Sequence, residues 1–266
     1  MSALVLLCAQ GCGSSSSDTA TASPSPTDTV ETSSWPTLSP VTTVLEPTPP
    51  SLTPAAGRVG TSVRGNPIRI STVGHGPRKV LFIGGIHGDE PEGSVATTEL
   101  PAAFLAAGLA DAVTLTILED ANPDGRAAGT RTNANGVDVN RNFPASNFDP
   151  SDPSNGGIPL SEPESRAVTD AIELARPNLV LVAHSWVGRQ FINFDGPARE
   201  IAHRFSASSG LPVEESTSFA PTPGSLGSYF GRDRGIPVLT IEVLRGTDPA
   251  VVWDQLRGAL LEAIRG

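Results

Sequence analysis

Short apolar runs alternate with longer segments of helical periodicity from about residue 56 to residue 266, and this alternation constrains the fold more than any other feature. It predicts a single α/β domain with a mixed, mostly parallel sheet and helices on both faces. The apolar runs predict strands near 67–73, 79–85, 113–119, 179–184, 190–194 and 238–243. The longer segments predict helices near 91–107, 162–175, 197–208 and 249–265, and Pro101 should break or kink the first of them.

A candidate metal site follows two of these strands. The apolar run 79–83 leads through two glycines to His87 and Glu90, and His184 ends the run 179–183. Open α/β sheets bind ligands at the carboxyl ends of their strands, and catalytic zinc uses three protein ligands of these types. If the two strands are neighbours, His87, Glu90 and His184 can hold one zinc ion. A single His-x-x-Glu pattern also arises by chance, so its spacing alone does not decide the question.

One acid lies inside a strand-like run. Glu242 interrupts residues 238–244, which have the apolar composition of a central strand covered on both faces. An ionised carboxylate in such a strand is costly unless it is paired or functional. Glu242 is therefore either in a structural ion pair, with Arg245 or another arginine, or part of a functional site.

The dipeptide Asn140-Arg141 places a planar guanidinium with five donors beside a side-chain amide. This combination suits bidentate binding of a carboxylate such as the C-terminus of a peptide. The alternative is a surface turn with a solvated arginine, because charged residues are usually exposed.

Several separated motifs complete the pattern. They are Asn122-Pro123-Asp124-Gly125, residues 131–136, 136–144, 161–164, 222–225 and 240–243. In this order they resemble the zinc carboxypeptidase family, and most closely its small bacterial branch of murein tripeptide amidases. The resemblance covers about residues 58 to 245. It implies a zinc carboxypeptidase-like fold and hydrolysis of a peptide or amide bond near a free carboxylate, with the γ-D-glutamyl-diaminopimelate bond of cell-wall peptides as the expected target.

The resemblance also implies a role for each candidate residue. Asp138 would orient His87 as a zinc ligand. Glu242 would be the general base toward the water that zinc activates, with a pKa tuned by partial burial, and Arg131 would stabilise the oxyanion. The implied substrate-binding residues are Asn140, Arg141, Leu226 and Gly227.

One departure from the family concerns tyrosine. Many members carry a mobile tyrosine in the substrate pocket, but the only tyrosine here is Tyr229, which does not match that position. We therefore leave Tyr229 out of the catalytic set. The small apolar lining at Leu226 and Gly227 supplies no charge with which to demand a basic or acidic end residue. Arg189 is either a contact for an acidic substrate group or a plain surface arginine.

The N-terminal segment predicts where the protein works. Residues 1–12 resemble a lipoprotein-type signal, with an apolar stretch at 3–7 and Cys12 as the lipid acceptor; the alternative is an apolar N-terminus without this role. Residues 13–55 are rich in Ser, Thr and Pro, which predicts a disordered tether to a catalytic domain at 56–266. We expect a bacterial, extracytoplasmic, lipid-anchored enzyme that meets the membrane only through this anchor.

The net charge of −10 argues against nucleic acid or anionic lipid as a charge-driven partner. We expect a monomer that binds peptide substrates, including peptidoglycan stem peptides. Two other functions fit part of the pattern: a zinc deacylase of the aspartoacylase or succinylglutamate desuccinylase type, and a non-catalytic peptide-binding lipoprotein. The motifs at 122–125 and 140–144 favour the carboxypeptidase branch over the deacylase, and every expected catalytic group is retained.

Overall fold

A computed structural model of the chain describes residues 55–215 and 222–266. The predicted signal segment, with Cys12, lies outside the described residues, and so does the predicted tether except for Ala55. Within the described ranges, no helix combines the length and the apolar character needed to cross a bilayer.

The described ranges contain seven strands and five α-helices. The strands are β1 (Ala55–Thr61), β2 (Pro67–Val73), β3 (Arg78–Ile83), β4 (Val113–Leu118), β5 (Leu179–Trp186), β6 (Phe191–Asp195) and β7 (Val238–Leu244). The α-helices are α1 (Val95–Ala106), α2 (Pro123–Ala128), α3 (Pro163–Ala175), α4 (Arg199–Ser209) and α5 (Pro249–Arg265). A π-helix, Gly227–Asp233, precedes β7, and 3-10 turns lie at Glu92–Ser94, Val139–Arg141 and Pro153–Asn155.

The strands form one sheet in the order β1-β2-β4-β3-β5-β7-β6. Neighbours among β4, β3, β5 and β7 run parallel, whereas β1, β2 and β6 join the sheet through antiparallel pairs. The predicted mixed, mostly parallel sheet is therefore confirmed.

Apolar side chains project from both faces of the sheet, because successive residues of a strand point to opposite sides. Along β3, Val80 and Phe82 pack in a core shared with α1, α4 and α5. Leu81 and Ile83 pack in the second core, which includes buried residues of α3 and of the π-helix. The near-continuous apolar composition of the central strands follows from burial on both faces, and the predicted placement of helices on both faces is confirmed.

Three elements were not predicted: β1, α2 and the π-helix. Strand β1 has few apolar residues and is exposed over most of its length, so pairing with β2 defines it rather than its own sequence. Pro101 does not break α1, which runs through it as one helix. Ala96, Leu100 and Phe104 on that helix are fully buried, and this packing offsets the missing backbone hydrogen bond.

The sheet positions the loop that follows β3. Strands β3, β5 and β7 are parallel neighbours, so their carboxyl ends lie at the same edge of the sheet. Gly85 has a φ of 68°, a left-handed conformation that favours glycine. A Cβ at Gly88 would lie 1.9 Å from the carbonyl carbon of Gly125, so only glycine lets this loop approach α2 so closely. The loop is thereby held beside His184 on β5.

Candidate metal centre and active site

The three predicted metal ligands meet at the carboxyl edge of the sheet. The carboxylate of Glu90 lies between the two imidazoles: its Oε1 is 2.9 Å from His87 Nδ1, and its Oε2 is 2.9 Å from His184 Nδ1. One ligand atom from each residue lies within 4.8 Å of the other two, and all three side chains are buried. The structure therefore brings together the trio that the sequence predicted.

The donor set fits a divalent metal. Two Nδ1 atoms and one carboxylate converge in a buried space, and His87 Nδ1 has no hydrogen-bond partner despite its short distance to Glu90. Burial and the neighbouring His87 lower the pKa of His184, which favours the neutral imidazole that metals bind. Burial opposes protonation of His87 as well, but the hydrogen bond with Asp138 and the negative charges of Asp138 and Glu90 outweigh it and raise its pKa. A cation between these groups would satisfy the orphaned nitrogen.

Asp138 lies behind His87. Its Oδ1 is 3.1 Å from His87 Nε2 and also accepts a hydrogen bond from the backbone N–H of Asn140. Although burial opposes ionisation, the hydrogen bond with His87 and the charge of Arg131 lower the pKa of Asp138. A carboxylate on the distal nitrogen sets the tautomer of a ligating imidazole, so the geometry suits the predicted orienting role.

Asp138→Asn is expected to lower zinc affinity by about 10- to 100-fold, because an amide cannot stabilise the same imidazole tautomer equally well. Competition with a chromophoric chelator would measure the affinity. Asp152→Asn is a suitable control, since Asp152 is an exposed helix-capping carboxylate. Equal zinc affinities in the wild type and Asp138→Asn would contradict an orienting role.

Glu242 faces the trio from the neighbouring strand. It pairs in register with His184 of β5, and its side chain is 9% exposed. Burial, followed by the charge of Glu90, raises its pKa to about 8. Arg245 bonds Asp89 and approaches Glu90 instead, and in the described ranges Glu242 makes no ion pair, while its Oε2 has no hydrogen-bond partner. The structure therefore does not contain the ion pair between Glu242 and Arg245 that was the alternative interpretation.

Arg131, the predicted oxyanion donor, and Arg126, which lies close to it in the sequence, have different surroundings. Arg131 is 42% exposed, lines the pocket above the trio, and pairs with Asp138 at 2.9 Å and Glu90 at 3.2 Å. Arg126 bonds Asp120 and Ser94 on another surface and does not line this pocket. Of the two, only Arg131 can reach a substrate bound beside the trio.

The predicted substrate-binding residues share this pocket. Asn140, Arg141, Leu226 and Gly227 all line it, together with the metal trio and Glu242. The amide of Asn140 contacts His184 Nε2 at 3.4 Å and accepts a hydrogen bond from the backbone N–H of Leu226 at 2.9 Å. Burial lowers the pKa of Arg141, whose Nη1 donates to the Asn140 carbonyl. A guanidinium and an amide therefore lie within one cleft beside the metal ligands.

Sequence reasoning missed part of the lining. Leu226 and Gly227 supply no charge, but a charged residue that was not predicted, Asp195, also lines the pocket, along with Trp186, Phe191, Asn193 and Thr240. Strand periodicity places Phe191, Asn193 and Asp195 on one face, but only the pairing of β6 with β7 shows that this face is the pocket wall.

Arg189 and Tyr229 lie outside the pocket lining. Arg189 pairs with Glu214 at 3.1 Å and lies over the ring of Phe191. Tyr229 packs edge-on against Phe230, and Arg234 lies over its ring. Neither residue is among those that line the cleft.

A buried metal-binding trio with a base candidate beside it is suited to hydrolysis, and the fold and site together define an α/β metallohydrolase. Sequence comparison narrows this class. The chain belongs to the zinc carboxypeptidase family, whose sequence profile matches residues 48–204. Members of this family depend on zinc, and the chain is accordingly a zinc metallopeptidase. The findings do not favour the deacylase or the non-catalytic alternative.

Individual relatives agree with the family. Murein peptide amidase A from Vibrio campbellii is 31% identical over 183 residues, which cover 61% of this chain and 68% of the relative. Murein peptide amidase A from Escherichia coli K12 is 32% identical over 179 residues, which cover 61% of this chain and 69% of the relative.

Solved structures cover a larger share of the chain than the sequence relatives do. The murein-tripeptide amidase of Escherichia coli O157 aligns with a TM-score of 0.64 and 25% identity, covering 82% of this chain and 94% of that one. Carboxypeptidase A from Helicoverpa armigera aligns with a TM-score of 0.68 at 18% identity, over 80% of this chain and 69% of that one, and supports the fold alone.

Proposed function

We propose that this enzyme hydrolyses the amide bond between γ-D-glutamate and diaminopimelate in cell-wall stem peptides. The observation that carries this proposal is that Asn140 and Arg141 line the same pocket as the metal trio and Glu242. A carboxylate held by the guanidinium and amide would leave the adjacent amide bond beside the metal site. The relatives named murein peptide amidase and murein-tripeptide amidase support this choice of substrate.

One zinc ion, held by His87, Glu90 and His184, would supply Lewis acidity and lower the pKa of water. Glu242 would accept a proton from the attacking water and later deliver it to the leaving amine, a role suited to a carboxyl group whose pKa is raised toward neutrality. Asp138 would keep His87 in the ligating tautomer. Arg131 would turn from its present carboxylate partners toward the developing oxyanion.

The terminal carboxylate would be bound by Arg141 with the help of Asn140. The side chain of the residue on the leaving side would enter the part of the pocket lined by Leu226 and Gly227. Walls contributed by Trp186 and Phe191 would exclude water from this end of the cleft.

The substrate is tested with the zinc-loaded full chain and a matched pair of peptides. L-Ala-γ-D-Glu-meso-diaminopimelate should be cleaved to L-Ala-D-Glu and diaminopimelate, whereas the isomer with the ordinary α-linkage should be cleaved more slowly. Mass spectrometry of the products measures both reactions. Faster release from α-linked peptides would refute the γ-D-glutamyl assignment while leaving the metallopeptidase class untouched.

We further propose that the enzyme acts outside the cytoplasm of a bacterium as a monomer, anchored through a lipid on Cys12 and separated from the membrane by the tether at 13–55. The composition of these segments and the cell-wall substrate support this location. Replacement of Cys12 by serine should release the enzyme from the membrane fraction, and unchanged membrane association would contradict the anchor.

A further inference from the structure

The loop that follows β3 is fastened to the residues that follow β7. Oδ2 of Asp89 is 3.1 Å from Nη1 of Arg245, and Oε1 of Glu90 is 3.3 Å from Nη2 of the same guanidinium. Oε1 of Glu92 accepts a hydrogen bond of 2.7 Å from the backbone N–H of Gly246. Strands β3 and β7 are not neighbours, because β5 lies between them. These three contacts therefore cross the end of β5 and connect two strands that the sheet does not pair.

Both sides of this connection are held against β5 by their backbones. Arg245 donates its backbone N–H to the carbonyl of Trp186, the last residue of β5, at 3.0 Å. Gly246 has a φ of 83°, a left-handed conformation that favours glycine in the turn after β7. A Cβ at Gly93 would lie 2.8 Å from a side-chain atom of β5, so the 3-10 turn that carries Glu92 packs directly on that strand. The contacts thus join two segments whose positions are already set by the sheet.

The carboxylate of Glu90 is held from a different strand at each oxygen. Oε2 accepts a hydrogen bond of 3.1 Å from the backbone N–H of Ser185 on β5. Oε1 faces two guanidiniums, that of Arg131 at 3.2 Å and that of Arg245 at 3.3 Å. In the proposed mechanism Arg131 turns toward the oxyanion, so Arg245 would remain as the cation beside Oε1. Because Arg245 does not line the pocket and its Nη1 is held by Asp89, it is placed to hold Glu90 rather than to bind substrate.

Glu90 lies on a loop, whereas the proposed base Glu242 lies on strand β7. A carboxylate that binds a metal is normally hydrogen-bonded in turn, because those bonds fix its orientation. Arg245 comes three residues after Glu242 in the chain, so its contact ties the metal ligand to the strand that carries the base. A guanidinium suits this task, since its planar fork can bond two carboxylates at once.

We propose that Arg245, anchored by Asp89, is a positioning residue that fixes the carboxylate of Glu90 as a metal ligand relative to Glu242. It acts through Glu90 and does not touch the substrate. This inference rests on the zinc site of the proposed function, but not on the identity of the substrate. Metal affinity and coordination geometry should therefore depend on Arg245, although it supplies no ligand atom.

The zinc affinity of the full chain, measured by competition with a chromophoric chelator, tests the inference without any substrate. Arg245→Gln should lower this affinity about 10- to 100-fold, the typical cost of losing a group that holds a metal ligand. Arg245→Lys should recover part of the loss, because an ammonium restores the charge but not the fork that spans two carboxylates. Asp89→Ala should cause a smaller loss in the same direction, because it removes the anchor and leaves the contact with Glu90.

The visible absorption spectrum of the cobalt-loaded chain is the second measurement. It reports the coordination geometry, which Arg245 would not affect if it only stabilised the fold. At saturating cobalt, the spectrum of Arg245→Gln should differ from that of the wild type. Arg234→Gln is the matched control, because Arg234 pairs with Glu173 at the surface and does not line the pocket. It should leave both the zinc affinity and the cobalt spectrum unchanged.

Three results would overturn the inference: wild-type zinc affinity in Arg245→Gln, a cobalt spectrum that this substitution does not alter, or a loss of affinity that Arg245→Lys does not reduce. If Arg245→Gln fails to fold, Asp89→Ala and Arg245→Lys decide the question by the same two measurements. Wild-type affinities and spectra in both of these variants would then count against a positioning role.

The two proposals fail separately. If γ-D-glutamyl peptides are not cleaved but Arg245→Gln weakens zinc binding and alters the cobalt spectrum, the proposed substrate falls and the role of Arg245 stands. If the peptides are cleaved but Arg245→Gln changes neither measurement, the inference falls and the proposed function stands.

Discussion

Glu242→Gln is expected to reduce kcat by about 10²- to 10⁴-fold while zinc remains bound, because the amide keeps the shape of the side chain but cannot accept a proton. Steady-state kinetics at saturating zinc would measure the loss, and elemental analysis would measure the metal content. Glu242 contributes no ligand to the trio, so its replacement should not empty the site. Glu214→Gln is a suitable control, since Glu214 pairs with Arg189 and does not line the pocket. Near-normal kcat in Glu242→Gln would defeat the assignment of the base.

Glu242→Gln should also change how the stability of the metal-free protein depends on pH. The pKa of Glu242 is about 8 in the folded chain, against an ordinary value of 4.5. A carboxyl group with a raised pKa destabilises the fold once it ionises, so the penalty is absent below about pH 4.5, grows as pH rises toward 8 and is constant above that. Glu242→Gln lacks this penalty and should become more stable than the wild type over this window, by up to a few kcal/mol at pH 8.

Thermal unfolding in chelator at several pH values would reveal this difference. If the stabilities of the two proteins changed with pH in the same way, the carboxyl group of Glu242 would not have a raised pKa in the folded protein. Because this readout needs no substrate, it remains informative even if the natural substrate differs from the proposed one.

Arg131→Gln is expected to reduce kcat by about 10²- to 10³-fold at saturating zinc, which is the typical cost of removing one oxyanion donor. Steady-state kinetics on the γ-D-glutamyl peptide would measure the loss, and added guanidinium ion should restore part of the activity by occupying the vacated space. Arg126→Gln is the matched control, since Arg126 bonds Asp120 and Ser94 away from the pocket.

The contacts of Arg131 with Asp138 and Glu90 suggest a competing role, in which the guanidinium only holds the metal ligands in place. In that case Arg131→Gln would weaken zinc binding, and saturating zinc would restore the wild-type kcat. A full recovery of kcat under these conditions would therefore exclude the oxyanion role.

Much of this site could be predicted from the sequence because its residues lie at ends or in centres of strands with strong apolar patterns. The runs before His87 and His184 are continuous and apolar, which places both residues at the carboxyl edge of a parallel sheet. Glu242 stood out for the same reason, as one acid in a buried strand. The spacing of these residues and the intervening motifs predicted the family, which the comparisons confirm.

Elements without a strong pattern of their own could not be predicted. Strand β1 depends on its pairing with β2, and the π-helix depends on the close approach of Gly227 and Gly231 to Asp195. The acidic end of the pocket was missed because Asp195 ends an ordinary short strand whose sequence does not show which elements it faces. Its partner Arg232 lies on a distant helix.

The sequence by itself determined the types of chemical group available and which of them end or interrupt buried strands: the candidate ligands His87, Glu90 and His184, the buried acid Glu242, and the α/β fold that carries them. Local composition and periodicity decide these features, because they reflect burial along a single element. Tertiary structure alone decided which groups meet. It turned Arg245 toward Asp89 and Glu90 and placed Asp195 at the end of the pocket, because charges are paired by packing between elements that are far apart in the chain.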